Sequence, residues 1–205
     1  IRDTVKRRTF GKAYGVIFNC LTSRGVYVDL VEGYDKNSFL IALRRFVSIR
    51  GYPRMMISDA GTQLVAAGKE LKQVVHTWDW DDIKTFGTSK GMQWNIIKSA
   101  DAPWENGCSE ALIKSVKKCL DVAIGDSVMT FSELQTVLFE TANVLNERPI
   151  GTKNCDPNEG TYLCPNDLLL GRASIRVPNG HLNQDCNPRN RHAFIQNVVN
   201  SFWRK

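Results

Sequence analysis

The sequence predicts an α/β protein in which a mixed sheet is flanked by helices. Segments with the residue pattern of strands alternate with segments of helical spacing, in the order β-β-α-β-α-β-α-α. A chain of 205 residues that is 42% hydrophobic can also bury a full core. We therefore expect a core over 1–150 that lacks at least one strand upstream, and a C-terminal extension of helix and loop over 151–205.

The first half of the chain supplies two strands and a helix. Aromatic and β-branched residues predict strands over 12–19 and 25–31, joined by a turn. Apolar residues of the second strand alternate with Tyr27 and Asp29, which places Asp29 on an ordinary polar face. Helical spacing follows until Gly51 and Pro53 end it. The apolar positions of that helix are Phe39, Leu40, Leu43, Phe46 and Val47.

The next segment leads to an acidic residue. Residues 55–57 are predicted to be a short buried strand that runs into Asp59. A helix is expected over 62–75 and a strand over 92–97. The polar and aromatic stretch between them, 78–91, receives no assignment.

Two core helices follow. Apolar residues between 107 and 124 form one stripe, and at roughly 100° per residue Glu110, Lys114 and Lys117 lie within about 60° of one another along its edge. Thr130 and Glu133 have the spacing of a capping box for the next helix, which Pro149 ends.

Composition and charge narrow the partners. The formal net charge of +6 weakly favours a polyanion. The six cysteines have no Cys-x-x-Cys spacing, which argues against disulfide frameworks and structural zinc and favours a reduced, intracellular chain. No apolar run approaches the roughly 18 residues of a membrane span, and no secretory leader is expected.

Asp59 and Glu110 are the candidate catalytic residues. Two carboxylates beside lysines suit divalent-metal chemistry on a phosphodiester, in which two ions lie about 3.5–4 Å apart. Lys114 and Lys117 would then contact phosphates. The alternative is that Lys114 and Lys117 only form i,i+4 salt bridges, with Glu110 and Asp121, and that Asp59 is a turn residue.

Other residues keep two interpretations. Asn106 either contacts a DNA end or caps the helix at 107. The three histidines are isolated and are assigned structural or surface roles. The apolar repeat of Phe194, Val198, Val199 and Phe202 predicts one amphipathic helix, which packs on the core or on a partner subunit.

Several motifs together resemble a known family. SDAGTQ at 58–63 is similar to the S-D-N-G-T motif around the second acid of retroviral and retrotransposon integrases. The segment from Asn106 to Lys117 resembles their third-acid helix, including its Glu-x-x-x-Lys-x-x-Lys spacing. Further segments extend the resemblance to the integrase region of BEL/Pao-type long-terminal-repeat retrotransposon polyproteins; they are KAYGVIF at 12–18, LRRF at 43–46, RG at 50–51, LNERPI at 145–150, LCPNDLLLG at 163–171 and FW at 202–203.

The resemblance implies a ribonuclease-H-like fold and metal-dependent 3′-end processing and strand transfer. It implies that Asp59 and Glu110 are catalytic metal ligands for Mg²⁺ or Mn²⁺, two ions in the complete site. It also implies homo-oligomers that bind element-end DNA and target DNA, rather than a membrane or a small molecule, and that act in the nucleus during integration. The DNA contacts would come from Asn106, Lys114, Lys117 and Lys118.

The sequence departs from that family in two places. Members carry the first catalytic Asp on a strand before the one at 12–19, in a context like Asp-Tyr-x-Gly-Pro, and neither Asp3 nor Asp29 matches it. We expect that acid upstream of residue 1, so the 205-residue chain alone is expected to be inactive. Ala60 replaces the common Asn, which is not a metal ligand. The zinc-binding His/Cys module of integrases is also not in this sequence.

Two other functions stay open. A decayed or host-recruited integrase would bind DNA or protein without catalysis, and loss of the first acid would be its signature. A ribonuclease-H-like nuclease of another kind is the third interpretation, and the segments NERP at 146–149 and WRK at 203–205 argue against it.

Overall fold

The computed structural model of this chain describes residues 12–59, 80–97, 107–124, 128–152 and 162–171, together with residue 195. These residues form helices and three two-stranded sheets, β1 with β2, β3 with β4 and β5 with β6. The α/β class is therefore confirmed. The elements are β1 (Tyr14–Asn19), β2 (Val26–Val31), α1 (Lys36–Arg50), β3 (Met55–Asp59), α2 (Trp80–Thr88), β4 (Gln93–Ile97), α3 (Gly107–Ile124), α4 (Phe131–Asn146), β5 (Gly151–Thr152), β6 (Tyr162–Leu163) and α5 (Pro165–Leu170).

The chain divides into two compact units. Unit A comprises residues 1–11, 17–30 and 112–205, and unit B comprises residues 12–16 and 31–111. In the described parts, unit A thus holds α4, β5, β6, α5 and most of β2 and α3. Unit B holds α1, β3, α2, β4 and the first turn of α3.

Unit B is built on a parallel pair of strands. β3 and β4 run parallel, and their register pairs Met55 with Gln93 at one end and Asp59 with Ile97 at the other. The helix before them, α1, is capped at its N-terminus by Asp35, whose carboxylate accepts from the Ser38 N–H at 2.9 Å. This cap satisfies one of the free N–H groups of the first turn.

One expectation for unit B was wrong, and one stretch that received no assignment is ordered. The stretch 78–91 contains α2, in which the side chain of Ile83 is fully buried. Asp82 of α2 also pairs with Lys36 of α1 at 2.7 Å. The strand at 55–57 is not simply buried, since Met55 and Ile57 are 47% and 44% exposed.

The two core helices are present as predicted, and unit A contains α4 and most of α3. Thr130 and Glu133 form the capping box at the start of α4, which ends before Pro149. Leu112 and Val116 of α3 and Val137 and Leu138 of α4 are buried. The apolar stripes of both helices therefore face the core, which is where most of the stability of an amphipathic helix originates.

The second strand differs from its predicted alternation. All six residues of β2 are buried, and Asp29 has no exposed surface. Its carboxylate accepts from the Gln135 amide of α4 at 3.2 Å and from the Leu30 N–H at 2.8 Å. The polar-face interpretation of Asp29 is therefore wrong, because α4 covers that face of the strand and offers a hydrogen-bond partner.

Asn146 joins α4 to the start of β2. Its side-chain oxygen accepts from the Val26 N–H at 2.7 Å, and its side-chain nitrogen donates to the Val26 carbonyl at 2.8 Å. Arg148 donates to the carbonyl of Arg24, which has a positive φ of 57°. The side chains of Asn146 and Arg148 therefore satisfy backbone groups around the β1–β2 turn.

The C-terminal region has more buried structure than predicted. Cys164, Pro165 and Asn166 are buried at the start of α5. Asn166 donates to the side-chain oxygens of Asn143 at 3.0 Å and of Glu147 at 2.6 Å. Segments 145–150 and 163–171, which carried part of the family resemblance, therefore bind one another.

One residue of the predicted C-terminal helix is described. Ile195 is helical and packs against the cluster of Met129 and Val137. Ile195 belongs to unit A and is not part of the predicted apolar repeat, so the packing of the amphipathic helix stays a prediction. The predicted helix over 62–75 lies outside the described residues, as do the residues of the apolar repeat, Phe194, Val198, Val199 and Phe202.

Candidate metal and DNA site

Asp59 is the last residue of β3. The strand ends there in parallel pairing with Ile97 of β4, so the carboxyl ends of both strands meet at one edge. In open α/β sheets, ligands bind outside the carboxyl ends of parallel strands. The backbone position of Asp59 therefore suits a ligand-binding residue, although its side chain lies outside the described part of the chain.

Glu110 lies in the first turn of α3. The side chain is half-buried, and the helix begins at Gly107, ten residues after the end of β4. A carboxylate in the first turn is stabilised by the positive end of the helix dipole. Glu110 and Asp59 both belong to unit B.

Lys114, Lys117 and Lys118 are exposed on α3. Within the described residues none of the three forms an ion pair, so the predicted salt bridges from Lys114 to Glu110 and from Lys117 to Asp121 are not made there. Lysines that hold no carboxylate can contact a polyanion without first breaking an internal pair. Phosphate contact by these lysines stays a prediction.

The positive charge of Lys118 affects the pKa of the neighbouring Cys119 thiol. Burial raises the pKa of Cys119, and the positive charge of Lys118 works against that rise. A cation that stabilises a nearby anion in this way would do the same for a phosphate. Lys118 therefore places positive charge beside Cys119.

The donor set fits a hard divalent ion only in part. Carboxylate oxygens such as those of Asp59 and Glu110 are the ligands that Mg²⁺ and Mn²⁺ prefer. Among the side chains that the structure describes, no group of three or more His, Cys, Asp or Glu residues converges. Two carboxylates can hold one ion; the two-ion site implied by the family resemblance needs further ligands. Asn106 lies outside the described residues.

One contact next to Asp59 gave no signal in the sequence. The indole N–H of Trp94 on β4 donates to the Ser58 hydroxyl at 2.9 Å. The indole is 8% exposed and packs edge-on against Phe39, with 6.0 Å between ring centroids. The sequence predicts two strands near Ser58 and Trp94, but it does not show that these strands pair or in which register.

A scan of the sequence against models of protein families finds no match, and a search of curated proteins finds none either.

No helix in the described part of the chain has the length and apolarity needed to cross a membrane.

Proposed function

We propose that this chain is the core of a retroelement integrase, with a ribonuclease-H-like fold, which cuts and joins DNA ends with the help of divalent ions when all its carboxylates are present. The observation that carries the proposal is the placement of the two acids. Asp59 ends a parallel strand and Glu110 opens the helix that follows the neighbouring strand, within one compact unit. Metal ligands of phosphoryl-transfer sites are carboxylates that converge from different elements.

Asp59 and Glu110 would hold the ion through their carboxylate oxygens. When bound, the divalent ion acts as a Lewis acid that polarises a phosphoryl oxygen. Lys114, Lys117 and Lys118 would hold the DNA backbone by phosphate contacts, which fix position and orientation without reading sequence. The partners proposed are therefore element-end DNA and target DNA, bound by an oligomer of this chain in the nucleus.

A titration of Mn²⁺ into the purified chain tests the metal site. The wild-type chain should bind one ion, and Asp59→Asn and Glu110→Gln should each abolish that binding while circular dichroism shows an intact fold. Asp121→Asn changes an exposed carboxylate farther along the same helix and should bind as the wild type does. Unchanged binding in either site variant would remove that residue from the metal site.

The same chain is not expected to join DNA. Two carboxylates are too few to hold both ions of an in-line displacement, so Mn²⁺ and a DNA end should give no joined product. Joining by the 205-residue chain would show that another acid completes the site. An integrase-derived protein that binds DNA without catalysis would instead bind DNA normally with no Mn²⁺ bound at Asp59.

A further inference from the structure

The hydrogen bond from Trp94 to Ser58 lies one residue away from the proposed metal ligand Asp59. In the parallel register Trp94 pairs with Met56, so Ser58 is its diagonal neighbour on the same face of the two strands. The indole N–H reaches the Ser58 hydroxyl at 2.9 Å. The bond thus ties β4 to β3 through side chains, next to the last pair of the ladder.

The indole is a firm anchor for this bond. It is 8% exposed, and its ring meets Phe39 of α1 at 67° with 6.0 Å between centroids. A Cβ atom placed on Gly87 of α2 would lie 3.7 Å from the indole Cε3 atom, so α2 also approaches it closely. The indole is therefore held by α1 and α2 and cannot shift without repacking them.

Asp59 and Ile97 form the last described pair of the β3–β4 ladder, and the hydrogen bond between Trp94 and Ser58 lies next to that pair. Fixing the Ser58 side chain restricts the backbone that leads into Asp59. Groups that orient a metal ligand in this way contribute to affinity without touching the ion.

We propose that Trp94 and Ser58 are positioning residues that hold Asp59 in place for a divalent ion. This inference rests on the proposed function, because it takes Asp59 to be a metal ligand. Trp94 acts through the Ser58 hydroxyl and the strand backbone, so neither residue touches the ion or the DNA. The sites of contact are the indole Nε1 and the serine Oγ.

Mn²⁺ titration of the whole 205-residue chain tests this role. Trp94→Phe keeps an aromatic ring against Phe39 but removes the donor, and Ser58→Ala removes the acceptor. Each should weaken Mn²⁺ binding about tenfold, the usual scale for losing a group that orients a metal ligand. The double variant should be no weaker than the single variants, and Ser58→Thr, which keeps the hydroxyl, should bind nearly as the wild type does.

A control separates positioning from general loss of stability. Ile83→Val shortens a fully buried side chain of α2 in the same unit and should lower the melting temperature without changing Mn²⁺ affinity. If Ile83→Val weakens binding as much as Trp94→Phe, the effect is one of stability and the positioning role is overturned. Ser58→Ala alters a half-buried hydroxyl and tests the role even if Trp94→Phe does not fold.

The remaining outcomes distinguish the two proposals. Mn²⁺ binding that is lost in Asp59→Asn but unchanged in both Trp94→Phe and Ser58→Ala overturns the positioning role and leaves the proposed function standing. No Mn²⁺ binding by the wild type, or unchanged binding in Asp59→Asn, overturns both. Weakening in Trp94→Phe and Ser58→Ala, with rescue by Ser58→Thr, supports both.

Discussion

Units A and B use the motifs that resemble integrases in different ways. In unit A, Asn146 and Arg148 of the LNERPI segment hydrogen-bond to the backbone of Val26 and Arg24, and Asn166 of the LCPNDLLLG segment binds Glu147. In unit B, the SDAGTQ segment starts at the end of a parallel strand pair. The comparison teaches that motifs with equal weight in a resemblance can lie in different structural settings. The motifs of unit A hold the fold together, whereas the SDAGTQ segment of unit B begins at the strand end that carries the proposed metal ligand Asp59.

The largest effect is expected at Asn146 in unit A. Asn146→Ala would leave both the N–H and the carbonyl of Val26 buried without this partner. Each of the two unsatisfied groups costs about 1–3 kcal/mol, so we expect the free energy of unfolding to fall by about 2–6 kcal/mol in a urea melt. Asn143→Ala, an exposed position on the same helix, is the comparison variant. It removes one hydrogen bond from Asn166, whose amide also donates to Glu147, and should lose about 1 kcal/mol or less. Equal losses at the two positions would contradict a special role for Asn146.

A second effect in unit A concerns the buried pair Asp29 and Gln135. The two side chains hydrogen-bond at 3.2 Å between β2 and α4, and Asp29 has no exposed surface. We expect a double-mutant cycle of Asp29→Ala and Gln135→Ala to give a coupling energy of roughly 1–2 kcal/mol, as residues in direct contact do. Additive losses in the urea melts would show that the two side chains do not depend on one another.

In unit B a smaller, pH-dependent effect is expected at Asp35. Hydrogen bonds from the Ser38 N–H and hydroxyl lower the pKa of this N-cap carboxyl. The stabilisation is therefore present above the unfolded pKa near 3.9 and is lost as the pH falls through the lower folded value. Asp35→Ala should cost about 1 kcal/mol at neutral pH, whereas Asp35→Asn should still cap the helix.

Urea melts between neutral and acidic pH measure this effect. Relative to the wild type, Asp35→Asn should lose less stability as the pH falls, because no carboxylate is protonated at the cap. Ser38→Ala removes the hydroxyl, one of the two donors to Asp35. The acid dependence of its stability should therefore lie between that of the wild type and that of Asp35→Asn. An acid dependence in Asp35→Asn that equals that of the wild type would show that the cap does not titrate as described.

The sequence was sufficient for α3 and α4 and insufficient for α2 and for the contacts between elements. Periodic apolar residues and the Thr130–Glu133 capping box are local signals, and they predicted α3 and α4 correctly. The burial of Asp29 depends on α4 covering β2, which is a non-local contact. The alternation of apolar and polar residues cannot reveal such a contact, because a polar residue can face either solvent or a buried partner.

The candidate site shows the same division. The strand that ends at Asp59 and the helix that starts just before Glu110 follow local patterns and were predicted. The parallel register of β3 with β4 and the Trp94–Ser58 bond were not, because pairing partners far apart in sequence leave no local signal. The helix α2 within the unassigned stretch 78–91 was missed because its buried side is weakly marked: among residues 81–91, Ile83 is the one large apolar side chain that is buried.

DNA binding by the lysines of α3 tests the proposed function most directly, because Lys114 and Lys117 are the residues proposed to contact the DNA backbone. A short fluorescent duplex is titrated with the wild-type chain and with Lys114→Ala/Lys117→Ala at several salt concentrations, beside urea melts of both proteins. Each lost phosphate contact should reduce the slope of log affinity against log salt by about 0.9, so the double variant should lose roughly 1.8. Its stability should be unchanged, because neither lysine forms an ion pair within the described residues. An unchanged slope together with a small loss of stability would contradict the account and would show that both lysines only form salt bridges on the helix surface.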